Sequence, residues 1–223
     1  MHQTKSKKIF FYFFLLITLG SINNISLNNI KIDKIKKISI TGLNESEKKI
    51  ILEDLKKLNL DNIFFLNVNE IRNLMNSNSI IENYKIFKLY PSTLDIKIKK
   101  TTFLAQINIK GKIFLIGANG KLSEKNFSNE YLPFVFGKPK IEDFFLIKEI
   151  IDRSTISYKD VKSLYYFKSK RWDIELKNNT LIKLSENYTK QSLEDSIIFL
   201  NSNKFENIKI IDARVKNQII IND

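Results

Sequence analysis

Chemistry needs side chains that can carry a proton, a metal or a leaving group, and this chain offers few of them in a usable pattern. Its only histidine is His2, in the N-terminal tail, and it has no cysteine. The commonest general base and metal ligand is therefore missing from the folded region, along with thiolate nucleophiles, Cys-based zinc sites and disulfides. Acid–base work by two carboxylates remains open in principle, because Asp and Glu are scattered through the second half of the chain. No spacing brings two of them to one pocket as glycoside hydrolysis requires. No glycine-rich phosphate loop follows a strand, and Ser/Lys pairs are too common in so lysine-rich a chain to mark a nucleophile. No enzyme activity, no cofactor, no metal and no small-molecule substrate is expected.

The residues that stand out are structural or adhesive. Trp172, the lone tryptophan, alternates with Ile174 and Leu176 in a strand-like stretch. It reads either as a core anchor or as an aromatic that contacts a partner. Asp212 and Arg214, two apart on a second stretch, share one strand face and form either an ordering ion pair or an ordinary solvated one.

Positioning these residues is the work of the elements around them. The net charge is +13, from 37 Lys and Arg, but the lysines are dispersed through every segment. Dispersal favours a solvated surface over a nucleic-acid footprint, with attraction to an anionic membrane surface as the other reading. Residues 9–25 are uncharged and follow Lys5, Lys7 and Lys8. They make a run of about seventeen, at the short end of the roughly 17 to 25 residues that cross a bilayer. A cleaved signal peptide is the rival, but no A-x-A-like site follows Leu19. The expected order is thus a cytoplasmic tail (1–8), a transmembrane anchor (9–25), a linker (26–34) and two modules on the far side of the membrane.

The first module, 35–100, reads β-α-α-β-β. A strand ends at Gly42, and Asn44 or Ser46 caps a helix that turns Ile50, Ile51, Leu55 and Leu58 inward. A second helix carries Val68, Ile71, Leu74 and Met75. A hairpin then turns at Pro91, with Leu94, Ile96 and Ile98 on one face of its second arm. From 101 to 223 short strands dominate, with Asn119-Gly120 as a hairpin turn and 131–137 as an irregular edge piece cut by Pro133. Helices are expected over 141–153 and 189–201, and strands over 161–167, 171–176, 180–184, 205–214 and 218–221. The fold class is α+β: a single N-terminal transmembrane helix, a two-layer β-α-α-β-β domain, and a β-rich domain with flanking helices.

Seven stretches, in this order, resemble the bacterial cell-division family FtsQ, called DivIB in other bacteria. After the basic tail and anchor come Ile38-Ser39-Ile40-Thr41-Gly42-Leu43-Asn44, Leu89-Tyr90-Pro91-Ser92-Thr93-Leu94, Ala118-Asn119-Gly120-Lys121, Tyr131 to Gly137, Arg171-Trp172-Asp173-Ile174-Glu175-Leu176 and Ile211-Asp212-Ala213-Arg214. The resemblance implies that the first module is a POTRA domain and the second a β domain. It implies a non-enzymatic scaffold that holds FtsB- and FtsL-type divisome partners at the division septum and helps control septal wall synthesis. Another POTRA-containing envelope assembly or secretion protein is the alternative. Lys100-Thr101-Thr102-Phe103 stands where the family usually has Glu-Arg-x-Pro. By the same resemblance, partner binding falls on Ile211, Asp212, Ala213, Arg214, Val215, Lys216 and Asn217, with Ile219 and Ile221 beside them and Trp172 as a further candidate. An exposed terminal strand would accept a partner strand there, so Val215→Pro is expected to weaken binding by deleting a ladder donor.

Overall fold

The structure is a computed structural model and describes residues 3–22, 34–58, 60–124, 131–202 and 208–222. It opens with a helix, α1 (Gln3–Ile22), whose described apolar side chains face outward: Phe10 is 72% exposed and Leu16 70%. Among the described residues no helix is long and apolar enough to cross a membrane. The last residues of the expected anchor, 23–25, and most of the linker lie outside the described residues.

The chain divides into two compact units, one taking in Met1–Ile71 with Ile86–Ile96, the other Arg72–Lys85 with Lys97–Asp223. The elements of the first part follow in the expected order: β1 (Lys37–Thr41), α2 (Glu45–Lys57), α3 (Val68–Ser77), β2 (Ile81–Leu89) and β3 (Thr93–Lys100). The three strands form one sheet in the order β1-β3-β2. Asn44 caps α2 by accepting from the Glu47 N–H at 2.8 Å, while Glu47 reaches back to the Asn44 N–H, a complete capping box. Ile51 and Leu55 are buried. Ile50, expected inward, is 58% exposed, because it lies one residue off the Ile51–Leu55 stripe of a 3.6-residue period. On β3 the alternation holds: Leu94 and Ile96 in the first unit are buried, as is Ile98 in the second.

The second unit is built on a nine-stranded sheet in the order β12-β11-β10-β9-β8-β7-β4-β5-β6. Its strands are β4 (Phe103–Ile109), β5 (Lys112–Gly117), β6 (Leu122–Glu124), β7 (Phe134–Phe136), β8 (Val161–Tyr166), β9 (Trp172–Leu176), β10 (Leu181–Lys183), β11 (Ile210–Asp212) and β12 (Ile220–Asn222). The register carries one apolar row straight across six strands, through Val135, Leu164, Ile174, Ile182, Ile211 and Ile221. Two helices pack their buried residues into the same core: α4 (Ile141–Asp152) through Phe144, Ile147 and Ile151, and α5 (Thr189–Asn201) through Leu193 and Ile197. Side chains one residue away point to the opposite, open face.

Two expectations change here. The segment 131–137 is no edge piece, since β7 lies inside the sheet, parallel to β4 on one side and β8 on the other. Pro133 is tolerated because it sits before the strand, where its C=O accepts from the Gln106 N–H at 2.9 Å and no ladder donor is asked of it. Residues 213 and 214 lie beyond β11, and 203–207 fall outside the described residues.

Candidate partner-binding edge

Ile211 and Asp212 belong to β11, which is flanked on both sides: parallel to β10 and antiparallel to β12. The free edge of the sheet is one strand further out than the sequence suggested, because the chain turns at 213–219 and returns as β12. Val215 sits in that turn, where its C=O accepts from the Gln218 N–H at 3.2 Å, and it contributes no ladder donor. The rationale for Val215→Pro therefore fails, since a proline there removes no strand hydrogen bond.

On β12, the Asn222 C=O accepts from the Lys209 N–H, so Asn222 faces β11. By the alternation of an antiparallel pair, Ile220 does the same, paired opposite Asp212, and Ile221 turns its N–H and C=O to the open side. The Ile221 side chain is opposite Ile211, on the core face, and is half-buried; that of Ile220 lies on the other face and is 58% exposed. Beside this edge, Ala213, Val215 and Gln218 line a shallow hollow with Tyr188, Gln191 and Asp195 at the start of α5.

The open face next to the edge carries a second register row: Phe136, Tyr165, Asp173, Lys183, Asp212 and Ile220. Phe136 stacks on Tyr165 with centroids 4.8 Å apart. Arg171 donates to Asp173 at 3.1 Å and lies over the Phe167 ring. Arg214 Nε donates to both Asp212 oxygens, at 2.7 and 2.9 Å, so the pair read from their spacing is formed.

The two aspartates are tuned in opposite directions. Burial raises the Asp173 carboxyl above its ordinary value, only partly offset by Arg171. The Arg214 hydrogen bonds hold Asp212 below the usual carboxylate range. Glu175, on the same strand face as Asp173, is pushed up by burial, but Lys162 at 2.7 Å and the Tyr165 hydroxyl at 2.6 Å outweigh that and lower it. Asp173 and Glu175 both line a hollow with Tyr165 and Phe167. Each carboxylate is engaged by a cation, an arrangement that orders a charged surface. Among the described residues no cluster of His, Cys, Asp and Glu could hold a metal ion.

Of the other sequence candidates, Arg214, Lys216 and Asn217 are exposed, and Ile219 is half-buried. Asn217 takes a positive φ of 58°, which lets the turn close without a glycine. Ile211, Ala213 and Trp172 are buried, and Trp172, 5% exposed, packs on the Tyr166 ring beside the core. The exposure of Ile220 depends on the β11–β12 register, which no local pattern specifies.

Residues 33–100 match the family described as POTRA domain, FtsQ-type. The chain is similar to the cell division protein FtsQ of Rickettsia conorii, 28% identical over 192 residues that cover 84% of this chain and 72% of the relative. The FtsQ of Rickettsia bellii is 29% identical over the same shares. The cell division protein DivIB of Clostridium tetani is 30% identical over 149 residues, 65% of this chain and 56% of the relative.

Proposed function

The chain belongs to the FtsQ/DivIB family of cell-division proteins, and from that premise we propose that it is a non-enzymatic scaffold which recruits divisome partners of the FtsB and FtsL type by strand addition at β12. The observation that carries this reading is the open side of β12, where, among the described residues, the Ile221 N–H and C=O have no neighbouring strand in the sheet order. An incoming segment would take up these groups as a tenth strand, with the Ile220 side chain beside it on one face and the hollow under the β11–β12 turn on the other. Backbone pairing supplies affinity in such a complex and flanking side chains supply selection. The scaffold holds these partners at the division septum and so helps control septal wall synthesis.

The same reading sets α1 in the inner membrane as a single-pass anchor, with Lys5, Lys7 and Lys8 on the cytoplasmic side and both units in the periplasm. Its support is the outward-facing apolar surface of α1 and the lysines in its N-terminal turns.

Two experiments test this. Ile221→Pro removes the outward N–H without touching a donor inside the sheet, so the domain should fold while partner capture falls by about tenfold or more, the equivalent of one to two backbone bonds. Undiminished capture would place the interface elsewhere. In a depletion strain, normal septa without this protein would refute the division role. An envelope assembly or secretion role is favoured only by β2, which is also a terminal strand of its sheet; capture of outer-membrane assembly components would select it.

A further inference from the structure

Within the first unit, three separate segments meet at the end where the chain enters from α1. Lys34 pairs with Asn62 in an isolated bridge, and the Ile35 N–H donates to the Asp61 C=O at 3.2 Å. The Lys36 N–H donates to the Ser92 C=O at 2.9 Å, and Lys88 Nζ to the Leu66 C=O at 3.3 Å. The entering strand, the 61–66 loop and the hairpin turn are thus tied together by hydrogen bonds.

That end is unusually apolar on its surface. Phe64 is 53% exposed, Phe65 77%, Leu89 50% and Tyr90 61%. Phe64 and Tyr90, 26 positions apart in sequence, bring their rings to 4.8 Å. The loop is held in this posture: Asn62 Oδ1 accepts from the N–H groups of both Phe64 and Phe65, at 3.1 Å each, while Ile63 and Leu66 on either side are buried. Two adjacent phenylalanines are therefore presented outward by a built turn whose flanks are anchored in the core. Contiguous exposed apolar surface of this kind marks an interaction site.

We propose that this aromatic end rests in the headgroup layer of the membrane that holds α1. The inference depends on the reading of α1 as a membrane anchor. Two observations choose a lipid surface as the occupant. The first is chain continuity, since residues 23–33 separate α1 from Lys34, and eleven residues reach at most about 40 Å when fully extended. The second is chemistry. Exposed Lys34, Lys36 and Lys37 flank the rings in the entering strand of a chain of net charge +13. Aromatic rings beside lysines suit the boundary between acyl chains and anionic headgroups. Docked this way, the first unit has its orientation on the membrane set by a second contact besides the tether.

The test uses the full chain in vesicles of phosphatidylethanolamine and phosphatidylglycerol that carry nitroxide-labelled lipid. Because the chain has no cysteine, Ser92→Cys gives a single site beside Tyr90 for an environment-sensitive fluorophore, and Ser169→Cys, in the second unit, gives a reference. Strong quenching at position 92, falling about threefold when Phe64, Phe65 and Tyr90 are all replaced by serine, is expected. Phe65→Ser alone, at a side chain that is already mostly in water, should lower it in the same direction without loss of fold. Chain that washes off the vesicles in alkaline carbonate overturns the anchor and this proposal together. Chain that stays while the position-92 label is no more quenched than that at 169, or is equally quenched in the triple variant, overturns the proposal alone. Quenching that appears only as protein density in the vesicle rises would assign the patch to a second copy and also overturn it.

Discussion

Replacing Asn119 by alanine should unfasten a joint inside the second unit. Asn119 Nδ2 donates to the Ser79 and Ile81 carbonyls, both at 2.9 Å, and its Oδ1 accepts from the Lys121 N–H at 3.0 Å. Alongside, the Thr101 N–H donates to the Ile80 C=O at 2.9 Å and Lys121 Nζ to the Asn78 C=O at 3.1 Å. A neutral hydrogen bond contributes about 1 kcal/mol net, and a partly buried carbonyl left without a donor costs about the same again, so three lost bonds amount to about 2–3 kcal/mol after partial rescue by water. Trp172 is the only tryptophan and is buried in the same unit, so its fluorescence during urea unfolding follows this unit. Asn119→Asp keeps the acceptor for Lys121 but aims a carboxylate at two carbonyl oxygens, and should lose at least as much. Gly117→Ala would put a Cβ 2.5 Å from Asn119 Oδ1 and displace it. Its penalty should therefore shrink by about 1 kcal/mol when Asn119 is already alanine. A loss below about 0.5 kcal/mol for Asn119→Ala, or strict additivity in the double variant, would refute the reasoning.

Other outcomes follow from the same geometry. Gly137 has a φ of +97° and a Cβ there would meet the Tyr166 carbonyl oxygen at 2.2 Å, so Gly137→Ala should cost about 2 kcal/mol or more and lower the yield of soluble protein. On α4, Phe144→Ala empties a fully buried position and should cost about 3–5 kcal/mol, whereas Leu146→Ala, at a side chain 60% exposed, should stay within about 0.5 kcal/mol in the same urea assay. Arg214 lowers the Asp212 carboxyl, so the folded state binds that proton more weakly than the unfolded chain does. The stability from this pair is full above the ordinary carboxylate range and is lost as pH falls through the lower folded value, so Asp212→Asn should flatten the acid side of the urea midpoint plotted against pH. An unchanged acid slope would show that the pair has no net effect on folding.

The local pattern was enough for the elements, because short-range physics decides them. The cap at Asn44, the helix over 189–201, the alternation of Leu94 and Ile96, and the antiparallel run through 161–184 all follow from side-chain period and turn chemistry within about a dozen residues. The Asp212–Arg214 pair was legible because opposite charges two residues apart are within reach of each other, and it forms although Arg214 lies just beyond the end of β11. What the pattern could not supply was the order of strands. β7 reads as an edge piece because it is short and preceded by proline, yet parallel partners far away in sequence enclose it on both sides. Asn119 reads as a turn residue from Asn119-Gly120, yet its amide reaches carbonyls 38 and 40 positions upstream. The free edge moved from β11 to β12 because three residues that return antiparallel consume the ladder groups of Ile210 and Asp212 and leave those of Ile221 turned outward. Local sequence therefore determined which segments are strands and helices and which face of each is apolar. Only long-range pairing decided which backbone groups stay unsatisfied, because each hydrogen bond made in one part of the sheet removes a donor and an acceptor from every other use.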